Sequence, residues 1–579
     1  MERYAPLLVA GPFAAAVAIT AIQRYVPRSL VDAIAIITAL AVCLGAVLAA
    51  RAAVDGPLVV WVGGWTPRPE GVIGIGMVID VLGAGFAALI AAIVAASLVF
   101  ARVYFREMHP LFQVLMMVFL GAGAGLSTTG DLFNFYVFFE LAGVAAFVLA
   151  AYRIEHSALH GAFVFAITNS IAGLLVLLGI GVLYAIAGSL NLAELGRVLP
   201  EHAGEPALRL AFALIACGLL MKAASVPFQF WVSDAYAGAA NPVSALFGGA
   251  SVTIGVFGLA RIYWTVFSGD TLPPDLLRNL LIPLGLLTAA TGALLAFVET
   301  DLKRVLALTT VSHVGVLLVA LALQSPLGIE GGTLYLVGHA FAKCGLFVCA
   351  GILAIAGEDY RSHAAARMIA LLLLAYGGLA IAGLPPGGMY LGKELVFEAS
   401  EEAGLRLPVL ILTLSAILSG AAVLGVAWRT YPTGYAQPQF SPANGWLSLL
   451  AIAFLALVLI GTNTLLLIAG SQEIVHAGAS RFIDREAYAA AVIEGVRTPL
   501  ATPLAPGSTE TGFGSFVGPA AALALVVASI GAKRLRDTRL GGLLAFATSA
   551  RRIHTGDVRD YVAWAMLGIG AIGVTVAVA

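Results

Sequence analysis

The chain has 579 residues, of which 60% are hydrophobic and 11% charged, with a formal net charge of −1. Its mean hydropathy of +0.98 lies far above that of a soluble globular domain and defines a polytopic membrane protein. So balanced a charge offers no basic face to nucleic acid, and the lack of strand-like alternation argues against an outer-membrane barrel.

Apolar runs long enough for bilayer-crossing helices recur from end to end, about sixteen in all, so the expected fold is an all-α bundle of about 14–16 transmembrane helices. The region 1–110 holds three of them, at 5–22, 30–50 and 74–101. Glu2 stands beside Arg3 ahead of the first run, and more spans follow, so this reads as a retained helix rather than a cleaved signal. Residues 111–267 carry five more, at 111–128, 131–152, 161–187, 207–237 and 241–267. A second group of five fills 276–430, at 276–298, 302–323, 332–356, 366–398 and 406–430.

Two of these runs are interrupted, the seventh by Pro227 and the twelfth by Pro385 and Pro386. Proline removes a backbone donor and breaks the helix. Interruptions five spans apart point to two five-helix units of opposite orientation. Beyond them come a span at 446–470, a loop and linker at 471–513 that opens on a helix-like piece, and a two-helix tail at 514–579. The tail follows a flexible linker and is expected to dock beside the core for a neighbouring subunit. The odd-numbered loops carry roughly twice the Lys and Arg of the even ones, which places them in the cytoplasm and both termini outside.

Ionisable groups inside the runs form a set. Glu140 lies in the fifth run, Lys222 in the seventh just before its break, and His313 in the tenth. His339 and Lys343 lie in the eleventh, and Lys393 with Glu394 in the twelfth after its break. Burial disfavours the charged form of lysine and glutamate alike, and contact between them restores it, so moving one partner moves the proton. His339 and Lys343, four apart, share one helix face. Blander readings stand beside this one: Glu140 as half of a structural ion pair, and His313 as a hydrogen-bonded core histidine. Asp80 and Asp131 sit where helix caps belong, while Asp234 suits either a cap of the second half-helix or the lining of an access route. Cys43, Cys217, Cys344 and Cys349 lie within apolar runs without metal or haem spacing, and no Gly-rich dinucleotide fingerprint occurs. No metal and no cofactor are expected.

The stretches "FYVFFELAGVAAFVLAAY", "LMKAASVPFQFWVSDAYAGAANPVSALFGGASVTIGVFGLAR", "DLKRVLALTTVSHVGVLL", "LYLVGHAFAKCGLFVCAGIL" and "AGLPPGGMYLGKELV" occur in that order. Together they resemble the antiporter-like membrane subunits shared by respiratory complex I, membrane-bound hydrogenases and Mrp-type cation/proton antiporters, over roughly residues 75–430. The resemblance implies a fourteen-helix core with two inverted five-helix repeats containing discontinuous helices. It implies that Glu140 and Lys222 are the family's glutamate–lysine pair, that Lys343 is the central lysine with His339 beside it, and that Lys393 ends the second half-channel. The sequence departs from the pattern in span eight, with Thr253 where a lysine aligns and Phe247 near a histidine position, and Tyr236 replaces another frequent histidine.

The expectation is a proton-translocating subunit of a multisubunit complex in the cytoplasmic membrane, closest in look to the Mrp D-type subunit, with Na⁺/H⁺ antiport left open because the sequence does not identify the coupling ion. Its partners would be other membrane subunits, protons and the lipid bilayer, with sodium ions as the open option. Two alternatives stay open: a proton-pumping subunit of an NADH:quinone oxidoreductase or membrane-bound hydrogenase, and the membrane subunit of an inorganic-carbon uptake complex. Any redox chemistry would belong to partner subunits.

Overall fold

The computed structural model describes residues 2–68, 71–105, 107–356, 364–433, 455–457, 471–496, 516–531 and 557–578. Among these, twelve helices are long and apolar enough to cross a membrane. The expected span 446–470 lies outside the described residues apart from 455–457, as does the linker 497–515.

The N-terminal helices are α1 (Leu7–Ile22), α2 (Arg28–Ala52) and α3 (Val81–Tyr104). Then come α4 (Leu111–Thr128), α5 (Leu132–Ala150), α6 (His156–Ala187) and the short α7 (Leu192–Val198). The seventh run is divided as the sequence suggests: α8 (Pro206–Lys222) stops, seven residues intervene, and α9 (Phe230–Gly238) resumes. Next, α10 (Asn241–Leu246) passes through a π-helical turn, Phe247–Ser251, into α11 (Val252–Ile262). The second half contains α12 (Pro274–Val298), α13 (Leu302–Ala322), α14 (Pro326–Ala356), α15 (Ala364–Ile381), α16 (Gly388–Glu402) and α17 (Arg406–Thr433). The break between α15 and α16 carries Pro385 and Pro386. Last come α18 (Ser471–Phe482), α19 (Arg485–Ala489), α20 (Val517–Gly531) and α21 (Val558–Val578).

One element departs from the all-helical reading. Strands β1 (Leu58–Trp61) and β2 (Gly76–Ile79) pair antiparallel, with Leu58 opposite Ile79 and Trp61 opposite Gly76. They lie between α2 and α3, and four residues each give too short an alternation to stand out from the flanking apolar runs.

Helix starts follow acidic caps where the sequence supplies them. Asp80, Asp131 and Asp301 accept from the backbone N–H of Gly83, Asn134 and Arg304, which satisfies donors a helix start leaves unpaired. Asp80 is also ion-paired to the buried Arg261, whose guanidinium lies 4.4 Å from the Phe482 ring centroid. Arg485 reaches Thr271 at 2.8 Å and His476 meets Glu330 at 2.6 Å, so α18 and α19 are clamped onto the end of the bundle that also carries β1–β2 and α7.

The centre is α13, where every residue but Arg304 is buried. Helix α12 packs on α13, α6 on both α8 and α9, and α14 on both α15 and α16. The tail helix α21 packs on α8, and α20 on α17.

Candidate functional site

The first cluster of ionisable groups is built on α5, α6 and α8, and glycines make room for it. A Cβ on Gly173 of α6 would lie 1.6 Å from Glu140 Oε1, so the carboxylate occupies the space this glycine leaves. A Cβ on Gly143 of α5 would lie 2.3 Å from Asn169 Nδ2, so Asn169 of α6 fills the matching gap in the other direction. Lys222, the last residue of α8 and 2% exposed, donates from Nζ to Asn169 Oδ1 at 2.8 Å. Its ammonium stands 4.9 Å from the Phe165 ring centroid and 5.7 Å from that of Phe139, where the ring quadrupole favours a cation.

Glu140 and Lys222 therefore grip α6 at Gly173 and Asn169, one turn apart, a separation of about 6 Å along the helix axis. They form no ion pair: the lysine is held by a neutral amide, and Glu140 Oε1 is buried without a hydrogen-bond partner among the described residues. The break that follows Lys222 is held both from within and from α12, where Thr288 Oγ1 accepts from Val226 N at 3.0 Å. Met221 O accepts from Ala224 N and from the Trp231 indole at 3.1 Å, and Leu220 O accepts from Ser225 N.

The second cluster faces across α13 and α14. Lys343 Nζ donates to Leu306 O at 3.0 Å and to the Thr309 hydroxyl. One turn away, the His339 and His313 rings stand 4.8 Å apart, and His313 Nδ1 is hydrogen-bonded to the Tyr335 hydroxyl. Tyr335, His339 and Lys343 recur every four residues on α14, and Thr309 and His313 do so on α13, so two polar rows meet. Both His339 ring nitrogens and His313 Nε2 are buried without partners among the described residues.

Lys393 of α16 points back into the second helix break. A Cβ on Gly383, whose φ of +99° suits glycine, would lie 2.5 Å from Lys393 Nζ. Glu394 Oε1 is 3.6 Å from the same ammonium.

Aromatic rings fill the way from Lys222 to Lys343. Phe165 stacks on Trp231 at 4.3 Å and meets Phe247 edge-on at 5.7 Å, and Tyr236 lies 5.5 Å from Phe247 and 5.9 Å from Phe347. The hydroxyls of Tyr236 and Thr253 are both tied to nearby carbonyls. Tyr236 donates to Phe247 O and Thr253 to Ala250 O, each at 2.8 Å, so Thr253 does not join the clusters. Asp234 neither caps a helix nor lies open. It sits inside α9, ion-paired to Arg304 at 3.2 Å and accepting from the Tyr561 hydroxyl at 3.0 Å.

Sequence reasoning missed Asn169, Thr309 and Tyr335. Spacing could have raised the last two, since each lies four residues before a histidine already singled out, but Asn169 is one polar residue among several in a long apolar helix.

Such a bundle, with two broken spans and buried ionisable side chains inside it, has the architecture of a polytopic membrane protein built around interior charges. Residues 129–419, about half of the chain, match the family described as NADH:quinone oxidoreductase/Mrp antiporter, transmembrane region, and the chain belongs to that family. It is 32% identical over 408 residues to the N subunit of the NADH-quinone oxidoreductase of Desulforudis audaxviator, covering 68% of this chain and 79% of that one. It is 27% identical over 385 residues to the D-type subunit of the Na(+)/H(+) antiporter of Bacillus subtilis, covering 65% and 77%. A chain of the membrane-bound sulfane sulfur reductase, an archaeal respiratory membrane complex, superposes with a TM-score of 0.73 at 25% identity, covering 85% of this chain and all of that one. A chain of the Mrp complex from Dietzia sp. DQ12-45-1b shares the fold at a TM-score of 0.72 and 23% identity, covering 85% and 99%.

Proposed function

We propose that this chain is the proton-translocating subunit of a multisubunit membrane complex, with Glu140 governing when Lys222 carries the proton. The observation that carries the reading is the parted pair on α6, with Lys222 bonded to the Asn169 amide and Glu140 lodged one turn away at Gly173. A carboxylate that approaches stabilises the ammonium, and one that withdraws leaves desolvation to favour release. Lys343, with His339, His313 and Tyr335, would form the central station, and Lys393 with Glu394 the far one. The packing of α6 on α8 and α9, matched by that of α14 on α15 and α16, supports two inverted repeats over 111–267 and 276–430. The charge bias of the loops supports a cytoplasmic 535–559 loop and an external 471–513 loop, which reporter fusions at the two sites would read directly. Sodium antiport, as in the name of the Bacillus relative, fits the family equally well as a coupled step. A second reading, membership of an NADH:quinone oxidoreductase-like complex, is favoured by the 32% identity to the Desulforudis relative.

Glu140→Gln removes the charge at nearly constant volume. In inverted vesicles containing the complete complex it should assemble normally and lose most pH-gradient formation or dissipation, as should Lys222→Ala, whereas Glu140→Asp should keep part of the activity. Undiminished transport by Glu140→Gln at normal assembly would refute the switch.

A further inference from the structure

The C-terminal helix α21 lies outside the stretch that matches the family, yet it seats on the first helix break. A Cβ on Gly568 would lie 2.5 Å from Pro227 Cγ and 2.6 Å from Phe228 Cε1, so the α21 backbone presses on the break itself. Tyr561 stacks on Phe230, the first residue of α9, with ring centroids 5.0 Å apart and planes 12° from parallel, and Trp564 stands 6.0 Å from the same ring. The Tyr561 hydroxyl donates to Asp234 Oδ2 at 3.0 Å while Arg304 holds Oδ1 at 3.2 Å. Asp234 is 7% exposed, whereas the Arg304 side chain is 43% exposed, so this trio runs from the surface at the α9–α13 contact to the buried face of α9.

Charged and titratable groups lie around Asp234 on several elements. On α13, besides Arg304, Lys303 donates from Nζ to Ala237 O and Ala239 O and so closes the end of α9. On α6, His160 precedes Gly161, where a Cβ would lie 2.5 Å from Asp234 O. Arg153 and Glu155, ahead of α6, and Asp301, ahead of α13, act on Lys303, His156 opens α6 one turn before His160, α5 brings Glu140, and α21 brings Tyr561.

We propose that Tyr561 is a positioning residue for proton access: through its hydrogen bond it fixes Asp234 beside Arg304 at the mouth of the path to Lys222. The role rests on the proton-translocating reading above and extends it to a helix the family match does not include. A docked aromatic ring would be enough to hold α21 in place, since the stack on Phe230 buries it. The hydroxyl goes further, because its hydrogen bond to Oδ2 fixes the orientation of the carboxylate that Arg304 holds by Oδ1.

Tyr561→Phe keeps the stack and removes only the hydroxyl, so the test is its transport rate and pH profile in vesicles carrying the complete complex, normalised to assembled protein. The expected result is a rate about tenfold lower, with the profile displaced by about half a pH unit. In an Asp234→Asn background the same change should add nothing further to either. An unmoved profile, or an equal effect in both backgrounds, overturns the proposal. Glu140→Gln measured alongside separates the two failures: full transport by that variant removes the underlying function, whereas an inactive Glu140→Gln with a wild-type Tyr561→Phe removes only the role of the tail.

Discussion

Asn169→Leu is the sharpest test of the arrangement at α6, because it changes one hydrogen bond and little else. Leucine keeps the branched outline of asparagine, so the space beside Gly143 stays filled, but the acceptor 2.8 Å from Lys222 Nζ is gone. A hydrogen bond to a charged group contributes about 1.5–3 kcal/mol, and Lys222 at 2% exposure has little water to replace it. If the loaded lysine is an intermediate of transport, its loss lowers the rate roughly ten- to hundredfold. The assay is proton movement in inverted vesicles, with native gels to confirm that the complex is intact. Two results would refute the reasoning: wild-type transport by Asn169→Leu, or a collapse of assembly as large as the loss of rate, which would make the amide a packing element.

Gly173→Ala should act on the other member of the pair, since its Cβ would claim the space 1.6 Å from Glu140 Oε1 and force the carboxylate away; transport should fall about tenfold or more with assembly kept. Tyr335→Phe deprives His313 of its hydroxyl partner. It should slow transport about fivefold for the loss of about 1 kcal/mol, whereas an unchanged rate with lowered thermal stability would mark His313 as an ordinary core histidine. His476→Ala leaves Glu330 buried without its 2.6 Å partner, a loss of about 3 kcal/mol. Limited proteolysis within 471–494 should quicken accordingly, and an unaltered digestion pattern would mean that Arg485 and Phe482 hold α18 and α19 unaided.

The stations of the proposed path were legible because a charge in an apolar run is conspicuous whatever surrounds it. Glu140, Lys222, Lys343 and Lys393 needed no three-dimensional knowledge to be singled out, and Pro227 and Pro385 marked the breaks by what proline cannot do. Their connections were not legible. That Lys222 meets Asn169 rather than Glu140 depends on how three helices converge, and on two glycines that read in sequence as ordinary small membrane residues. Asp234 was ambiguous for a stronger reason: one of its partners, Tyr561, lies 327 positions away on a helix whose docking no local pattern announces. The hairpin β1–β2 was passed over because the dominant signal, hydropathy averaged over a span, erases a four-residue strand.

The three lysines are held in three different ways, and on the proposed function the differences follow one logic. Lys393 has a carboxylate directly beside it at 3.6 Å, Lys222 has one parked a helical turn away behind a neutral amide, and Lys343 is bonded to a carbonyl and a hydroxyl. A positive charge in the interior is stabilised most by an ionised partner and least by neutral dipoles, so a transported charge would rest at the ends and cross the middle briefly. The aromatic rings from Phe165 to Phe347 reinforce this, because the one hydroxyl among them, that of Tyr236, is committed to Phe247 O. On the proposed function, passage through the centre requires those rings to part and admit water. On that reading the separation of carboxylate and lysine on α6 sets the state of the first station, and the aromatic wall separates it from the second.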